Sequence, residues 1–118
     1  TRFLASEEAS VSDKFKDLCV KASSGDVMKI MSSVGYKANS IKTKFSELIK
    51  AGEAPPPANC TDCLKHCTKK FCIKDALVAA KAGDMENGVF FTGEGIGRVK
   101  EILSTKEIFQ EIKNYFEE

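Results

Sequence analysis

Four of the five cysteines of this chain lie within thirteen residues, and these side chains are the best suited to bind a ligand. They are Cys60, Cys63, Cys67 and Cys72, in the pattern C-x2-C-x3-C-x4-C. Four thiolates are typical ligands of a structural zinc ion or an iron–sulfur cluster. The gap from Cys60 to Cys63 lets two sulfurs hold one metal, and one helical turn would bring Cys67 onto the face of Cys63. The spacing indicates a metal site and leaves zinc and iron–sulfur both open.

The same segment allows two other interpretations. His66 could replace one cysteine as a ligand. Alternatively, the cysteines could be reduced or disulfide-linked residues that fix a local loop, because they do not form the two separate CxxC pairs of the stronger zinc pattern. The lysines between them could contact phosphate, although a solvated face explains them equally well; they are Lys65, Lys69, Lys70 and Lys74.

Composition restricts the class of protein. The chain has 118 residues, of which 42% are hydrophobic and 30% charged, as expected for one soluble domain. A net charge of +1 creates no field that would gather nucleic acid. No apolar run approaches the ~18 residues that span a membrane, and the first residues do not form a signal peptide. Cys19, on the apolar face of a helix, is left over from any disulfide framework. We therefore expect a cytoplasmic protein that binds neither nucleic acid nor membrane.

The elements that must position the cysteines are mainly helices. Apolar residues recur with helical period over 11–22, with Ser10 or Ser12 as N-cap, and again over 38–49 and 73–82. The fourth helix begins at Ser104, which forms a capping box with Glu107 and precedes a hydrophobic staple. Residues 26–33 read as a short strand, and three consecutive prolines at 55–57 predict an extended connector into the cysteines.

These elements predict a mainly α fold with one or two short strands, an α+β piece too poor in strands to make a sheet of its own. The whole of 1–118 reads as a single region. The glycine-rich segment 93–97 begins a G-x-G, but position 98 is arginine and no βαβ unit surrounds it, so it is not a dinucleotide loop.

Several segments resemble the C-terminal part of nitronate monooxygenases, also called 2-nitropropane dioxygenases. A related branch, the flavin-dependent enoyl-acyl-carrier-protein reductases, shares the opening and the tail. The segments are TRFLASEEA at 1–9, SVGYKANSIKTKF at 33–45, CLKHC at 63–67, FCIKDALVAAKAGDMENGVFFTG at 71–93 and RVKEILSTKE at 98–107.

The resemblance implies the C-terminal piece of a (β/α)8 barrel enzyme that binds FMN, with most of the barrel before Thr1. Residues 1–118 would form a helical lid region with a cysteine-rich loop at 60–72, packed on the absent barrel. Thr1 would edge the flavin phosphate site, and Gly93 and Glu94 would lie close to the cofactor. The catalytic histidine of the family is expected upstream, so no residue here is assigned as catalytic.

The implied activity is the oxidation of an alkyl nitronate, a small-molecule substrate, by oxygen, with these residues inactive in isolation. The reductase branch is the alternative within the family. A stand-alone cysteine–metal module for protein binding is the alternative from another class. In the enzyme, an ion bound by the cysteines would fix a lid segment that has no core of its own.

Overall fold

A computed structural model describes residues 1–117 of the chain as four α-helices and a β-hairpin. The elements in chain order are α1 (Asp13–Lys21), a 3-10 turn (Ser24–Asp26), β1 (Val27–Met31), β2 (Lys37–Ile41), α2 (Lys44–Ala51), α3 (Ile73–Lys81), a second 3-10 turn (Glu94–Arg98) and α4 (Thr105–Glu117). The predicted mainly α class with one or two strands is confirmed. No helix within the described residues is long and apolar enough to cross a membrane.

The helix ends follow the capping chemistry of the sequence. The Ser12 hydroxyl accepts a hydrogen bond from the backbone N–H of Phe15 at 3.3 Å and so caps α1. At the end of α2, Gly52 adopts a left-handed conformation with φ of 76°, which costs glycine little. The Ser104 hydroxyl accepts from the N–H of Glu107 at 3.2 Å, which is one of the two hydrogen bonds of the predicted capping box; the Glu107 carboxylate lies 3.1 Å from the Ser104 hydroxyl.

One helix was predicted too long, and the two strands do form a sheet. Residues 38–41 belong to β2 and not to a helix, because the chain reverses at Gly35, whose φ is 88°. β2 then pairs antiparallel with β1, from Val27 opposite Ile41 to Met31 opposite Lys37. The prediction of no independent sheet is therefore wrong. Hairpin pairing satisfies the backbone groups of a segment whose apolar residues also fit a helical period.

The segment after α3 lies along the free edge of β2. The N–H of Ile41 donates to the Phe90 carbonyl at 2.9 Å, and the N–H of Thr92 donates to the Asn39 carbonyl at 3.0 Å. Phe90 is fully buried and packs edge-on against Phe15 of α1, with ring centroids 4.8 Å apart. This contact joins α1 to the segment that lies beside the hairpin. The chain then continues into the glycine-rich segment 93–97.

Two apolar clusters form the core. The first lies between α1, the N-terminal segment and the second 3-10 turn; it comprises Ala5, Phe15, Cys19, Ala22, Ile41, Ala80, Phe90, Ile96 and Val99. The second lies between the hairpin, α2 and α3; it comprises Met28, Ile30, Phe45, Phe71, Ala76 and Val89. The cysteine-rich loop is attached to the second cluster through buried Phe71, and Thr1 lies beside the first.

Candidate functional site

Thr1 and the glycine-rich segment meet although they are far apart in the sequence. The backbone N–H of Gly93 donates to Thr1 Oγ1 at 3.2 Å. The hydroxyls of Thr1 and Thr92 lie 2.6 Å apart, within hydrogen-bond distance. The structure therefore brings together two of the three residues expected at the flavin, Thr1 and Gly93.

The space beside this contact is open. A Cβ atom added to Gly93 or Gly95 would meet no atom within 4 Å. A cleft of about 560 Å³ lies further along the glycine-rich segment, and neither Thr1 nor Gly93 lines it; its lining residues are Ser24, Glu94, Gly95, Gly97 and Arg98. Glu94 and Arg98 are both exposed. A ligand of several heavy atoms has room to approach hydroxyl, amide and guanidinium donors here.

The polar groups here suit two different parts of FMN, the phosphate and the ribityl chain. A hydroxyl group such as that of Thr1 donates a hydrogen bond to a phosphate oxygen, and Arg98 adds positive charge to the cleft. The Glu94 carboxylate only accepts hydrogen bonds, so it repels a phosphate and suits a ribityl hydroxyl. The residues fit the phosphate end of the cofactor at Thr1 and Gly93, whereas Glu94 fits only the sugar-alcohol part.

Sequence reasoning did not assign Ser24 and Arg98 to this cleft. In the sequence, Arg98 stands out only because it breaks the dinucleotide-binding pattern. Its position at the end of a glycine-rich turn was the available signal, since glycines often surround bound phosphate groups. No local signal pointed to Ser24, which is brought near by the packing of the two 3-10 turns. A Cβ at Gly97 would lie 3.3 Å from the Ser24 backbone nitrogen.

The second group of candidate residues is the cysteine-rich loop. Its cysteines line one cavity of about 60 Å³; they are Cys60, Cys63, Cys67 and Cys72. All four are free thiols, and Cys60 and Cys63 are exposed while the other two are half-buried. His66 is exposed and does not line the cavity. The four cysteines of the C-x2-C-x3-C-x4-C pattern therefore lie around one cavity.

The thiols do not form a closed ligand cage in this conformation. Within residues 1–117, no three histidine, cysteine, aspartate or glutamate side chains stand in position to hold a metal ion. The segment from Cys63 to Cys67 is a turn and not the helical turn that the spacing suited. Metal binding by the four thiols remains a prediction.

Cys19 lies apart from the other cysteines, in the first core cluster. Its side chain is fully buried, and burial raises the pKa of the thiol. A buried, neutral thiol is a poor nucleophile and a poor metal ligand. Cys19 therefore serves as a small apolar core residue.

An ion pair bridges the cysteine-rich loop. Lys69 Nζ lies 2.6 Å from Asp62 Oδ1, and the hydrogen bond and charge of Lys69 lower the pKa of the Asp62 carboxyl. Both side chains are largely solvent-exposed, so the pair contributes little to stability. Its effect is to hold Lys69 beside the cavity that the cysteines line.

Comparison with known proteins gives the family. Residues 1–114 match the description "Nitronate monooxygenase". The chain belongs to the nitronate monooxygenase family. This family is one of flavin-dependent oxidoreductases, in agreement with the resemblance of the opening at 1–9 and of the segment 71–93.

Solved structures support the same relationship. This member of the nitronate monooxygenase family superposes on FabK from Thermotoga maritima with a TM-score of 0.77 at 28% identity, over 98% of this chain and 35% of FabK. A point mutant of FabK gives 0.73 at 28% identity, over 99% and 31%. The chain thus spans about a third of the length of these structures. No curated protein matches the chain.

Proposed function

We propose that this chain is the C-terminal region of an FMN-dependent nitronate monooxygenase, which oxidises alkyl nitronates with O2. Membership of the family over residues 1–114 is the observation that carries the proposal. The similarity to about a third of FabK supports the idea that a larger portion, containing the barrel, supplies most of the flavin site. The chain would pack on that barrel as a helical lid region.

The residues of this chain would bind and orient the cofactor at one edge. The Thr1 hydroxyl, whose oxygen accepts a hydrogen bond from the Gly93 N–H at 3.2 Å, would donate to the phosphate, and Gly93 would leave room beside it because an added Cβ there meets no atom within 4 Å. Glu94 would accept from a ribityl hydroxyl. FMN, when bound, supplies the electron-transfer chemistry between nitronate and oxygen. No residue of this chain is assigned a proton-transfer role, because the one histidine, His66, lies in the cysteine-rich loop.

A second candidate is a flavin-dependent enoyl-acyl-carrier-protein reductase. It is retained because the opening and the tail of the chain also resemble this branch, and because FabK is among the solved structures on which the chain superposes. Both candidates need FMN and the same barrel. They differ in substrate, and the residues that would select the substrate are expected upstream of Thr1.

The test is a pair of assays on the protein expressed with the coding sequence that precedes Thr1. The proposal predicts a yellow protein that consumes O2 when an alkyl nitronate is added and releases nitrite. Reduction of an enoyl thioester by NADH or NADPH, without nitronate oxidation, would establish the second candidate. A colourless protein that holds metal without flavin would contradict both and favour a metal-binding module.

A further inference from the structure

The cysteine-rich loop offers one small cavity to four thiol groups. The cavity measures about 60 Å³, and all four thiols line it. Four thiolates complete the ligand set of a structural zinc ion by themselves, whereas an iron–sulfur cluster also needs inorganic sulfide. We propose that this chain binds a single structural Zn²⁺ through Cys60, Cys63, Cys67 and Cys72. The proposal goes beyond the flavoenzyme function and does not depend on it.

Backbone hydrogen bonds already point at two of the sulfurs. The N–H of Lys69 donates to Cys67 Sγ at 3.4 Å, and the N–H of Asp75 donates to Cys72 Sγ at 3.5 Å. Lys69 itself has a φ of 59°, a left-handed conformation that residues other than glycine rarely adopt. Metal-bound ligands are commonly oriented by such outer hydrogen bonds. Backbone hydrogen bonds therefore orient two of the four sulfurs, Cys67 Sγ and Cys72 Sγ.

The charge of the loop is complementary to the product of binding. Four thiolates around Zn²⁺ carry a net charge of −2. The segment from Cys60 to Asp75 has four lysines and two aspartates, Asp62 and Asp75. Two of the lysines, Lys69 and Lys74, line the cavity together with both aspartates, and Lys69 is held there by its 2.6 Å contact with Asp62. The net positive charge of the segment as a whole would offset an anionic zinc–thiolate centre.

The loop is anchored at its end and free to adjust before it. The N–H of Thr68 donates to the Ser33 carbonyl at 2.8 Å, and the Ser33 hydroxyl donates to the Phe71 carbonyl at 2.5 Å. Cys72 then caps α3. Residues 53–72 include no helix or strand, so Cys60 and Cys63 can move inward to complete the four ligands. Zinc sites are often completed only when the metal binds, since binding and local folding are coupled.

The proposal is tested with the reduced, metal-free 118-residue chain. Titration with Zn²⁺ against a coloured chelator should show one tightly bound ion per chain. Co²⁺ should substitute for it and give the intense visible bands of tetrahedral thiolate coordination. Thermal unfolding should shift upward with Zn²⁺, because a metal that binds only the folded state stabilises it.

Variants identify the ligands. Cys63→Ser and Cys67→Ser should each weaken Zn²⁺ binding more than the ~10–100-fold loss that follows removal of an outer-shell partner. Cys19→Ala is the matched control, because it removes a thiol outside the loop and should leave stoichiometry and the Co²⁺ spectrum unchanged. His66→Ala should also bind one ion. Loss of the metal in His66→Ala would overturn the four-cysteine ligand set.

Three results would overturn the zinc assignment. The first is a chain that binds no Zn²⁺ while the four thiols of the cysteine-rich loop remain reactive. The second is spontaneous loss of four thiols as disulfides, without metal binding. The third is a brown protein, purified without oxygen, that holds stoichiometric iron and sulfide. Because the Co²⁺ spectrum is measured on the unaltered chain, a variant that fails to fold does not leave the proposal untested.

Discussion

Gly88 occupies a position where the backbone leaves no room for a side chain. An added Cβ would lie 2.7 Å from the Asp84 carbonyl oxygen and 2.8 Å from both the nitrogen and Cα of Ala80. These are backbone atoms of α3 and the turn that follows it, so they cannot move aside as a flexible side chain would. Glycine at this position lets the chain turn closely against α3 before it runs beside β2.

Gly88→Ala should therefore lower the free energy of unfolding by about 1–3 kcal/mol, the usual cost of overpacking a well-packed site. Gly93→Ala is the control, since its Cβ would meet nothing within 4 Å. Chemical denaturation of the two variants measures the difference. Equal stability of both variants would show that the turn at Gly88 relaxes freely.

The Thr1 hydroxyl is the group of this chain that we expect to bind the phosphate of FMN. In the protein that includes the barrel, Thr1→Ala should weaken FMN binding by about ten- to a hundredfold, because a hydrogen bond to a charged group contributes ~1.5–3 kcal/mol. Thr1→Ser keeps the hydroxyl and should bind FMN nearly as tightly. Fluorescence titration of the two variants gives the affinities. Equal affinities would remove Thr1 from the phosphate site.

Helix α4 has a second cap, besides Ser104, that comes from a distant part of the chain. The Glu8 carboxylate accepts the Thr105 N–H at 2.9 and 3.0 Å, which satisfies a free donor at the start of the helix. These hydrogen bonds lower the pKa of Glu8. The contact ties the N-terminal segment to the last helix, next to the bridge between Ser6 and Leu103.

The lowered pKa makes this contact sensitive to acid. The stability that it contributes is present above the ordinary glutamate pKa of ~4.3 and is lost as the pH falls through the lowered, folded-state value. Glu8→Gln should therefore reduce the difference between stability at neutral pH and at low pH. Thermal unfolding from pH 7 down to pH 3 measures this effect, with exposed Glu111→Gln as control. An unchanged pH profile would show that Glu8 does not cap α4.

The helices were predictable because their signals are local. Ser12, Gly52 and Ser104 act as caps within a few residues of the groups they satisfy. The hairpin was only half predicted, because Ala38 and Ile41 also fit a helical stripe and only pairing with β1 decides between the two. The Thr1–Gly93 contact joins residues 92 positions apart. Thr1 and Gly93 were predicted to lie near the flavin from the family resemblance, because no local pattern relates residues so far apart in the sequence.

At the scale of the whole molecule, the chain is elongated and leaves an apolar face exposed. It measures 50 × 26 × 24 Å, and its radius of gyration of 15.7 Å exceeds the ~13.5 Å expected for a compact domain of this length. In α4 only Ile108 is buried. Large apolar side chains along the rest of the helix are exposed; they are Phe109, Ile112, Tyr115 and Phe116.

We propose that the exposed face of α4 packs on the barrel of a longer protein. Replacing Phe109 and Phe116 with serine should improve the solubility of the isolated chain, because a large apolar patch promotes association. The same double change should lower the thermal stability of the protein that includes the barrel. Tyr36→Ser, at the exposed hairpin turn, is the control. Equal effects of the control and the double variant would show that α4 does not pack on the barrel.

We propose that this chain forms one edge of a flavin site whose larger part lies in the barrel. FMN titration of the 118-residue chain, beside the protein expressed with its upstream coding sequence, is the direct test. We expect one FMN per molecule of the longer protein and no stoichiometric binding by the chain alone. Tight FMN binding by these 118 residues, or a longer protein that binds none, would contradict it.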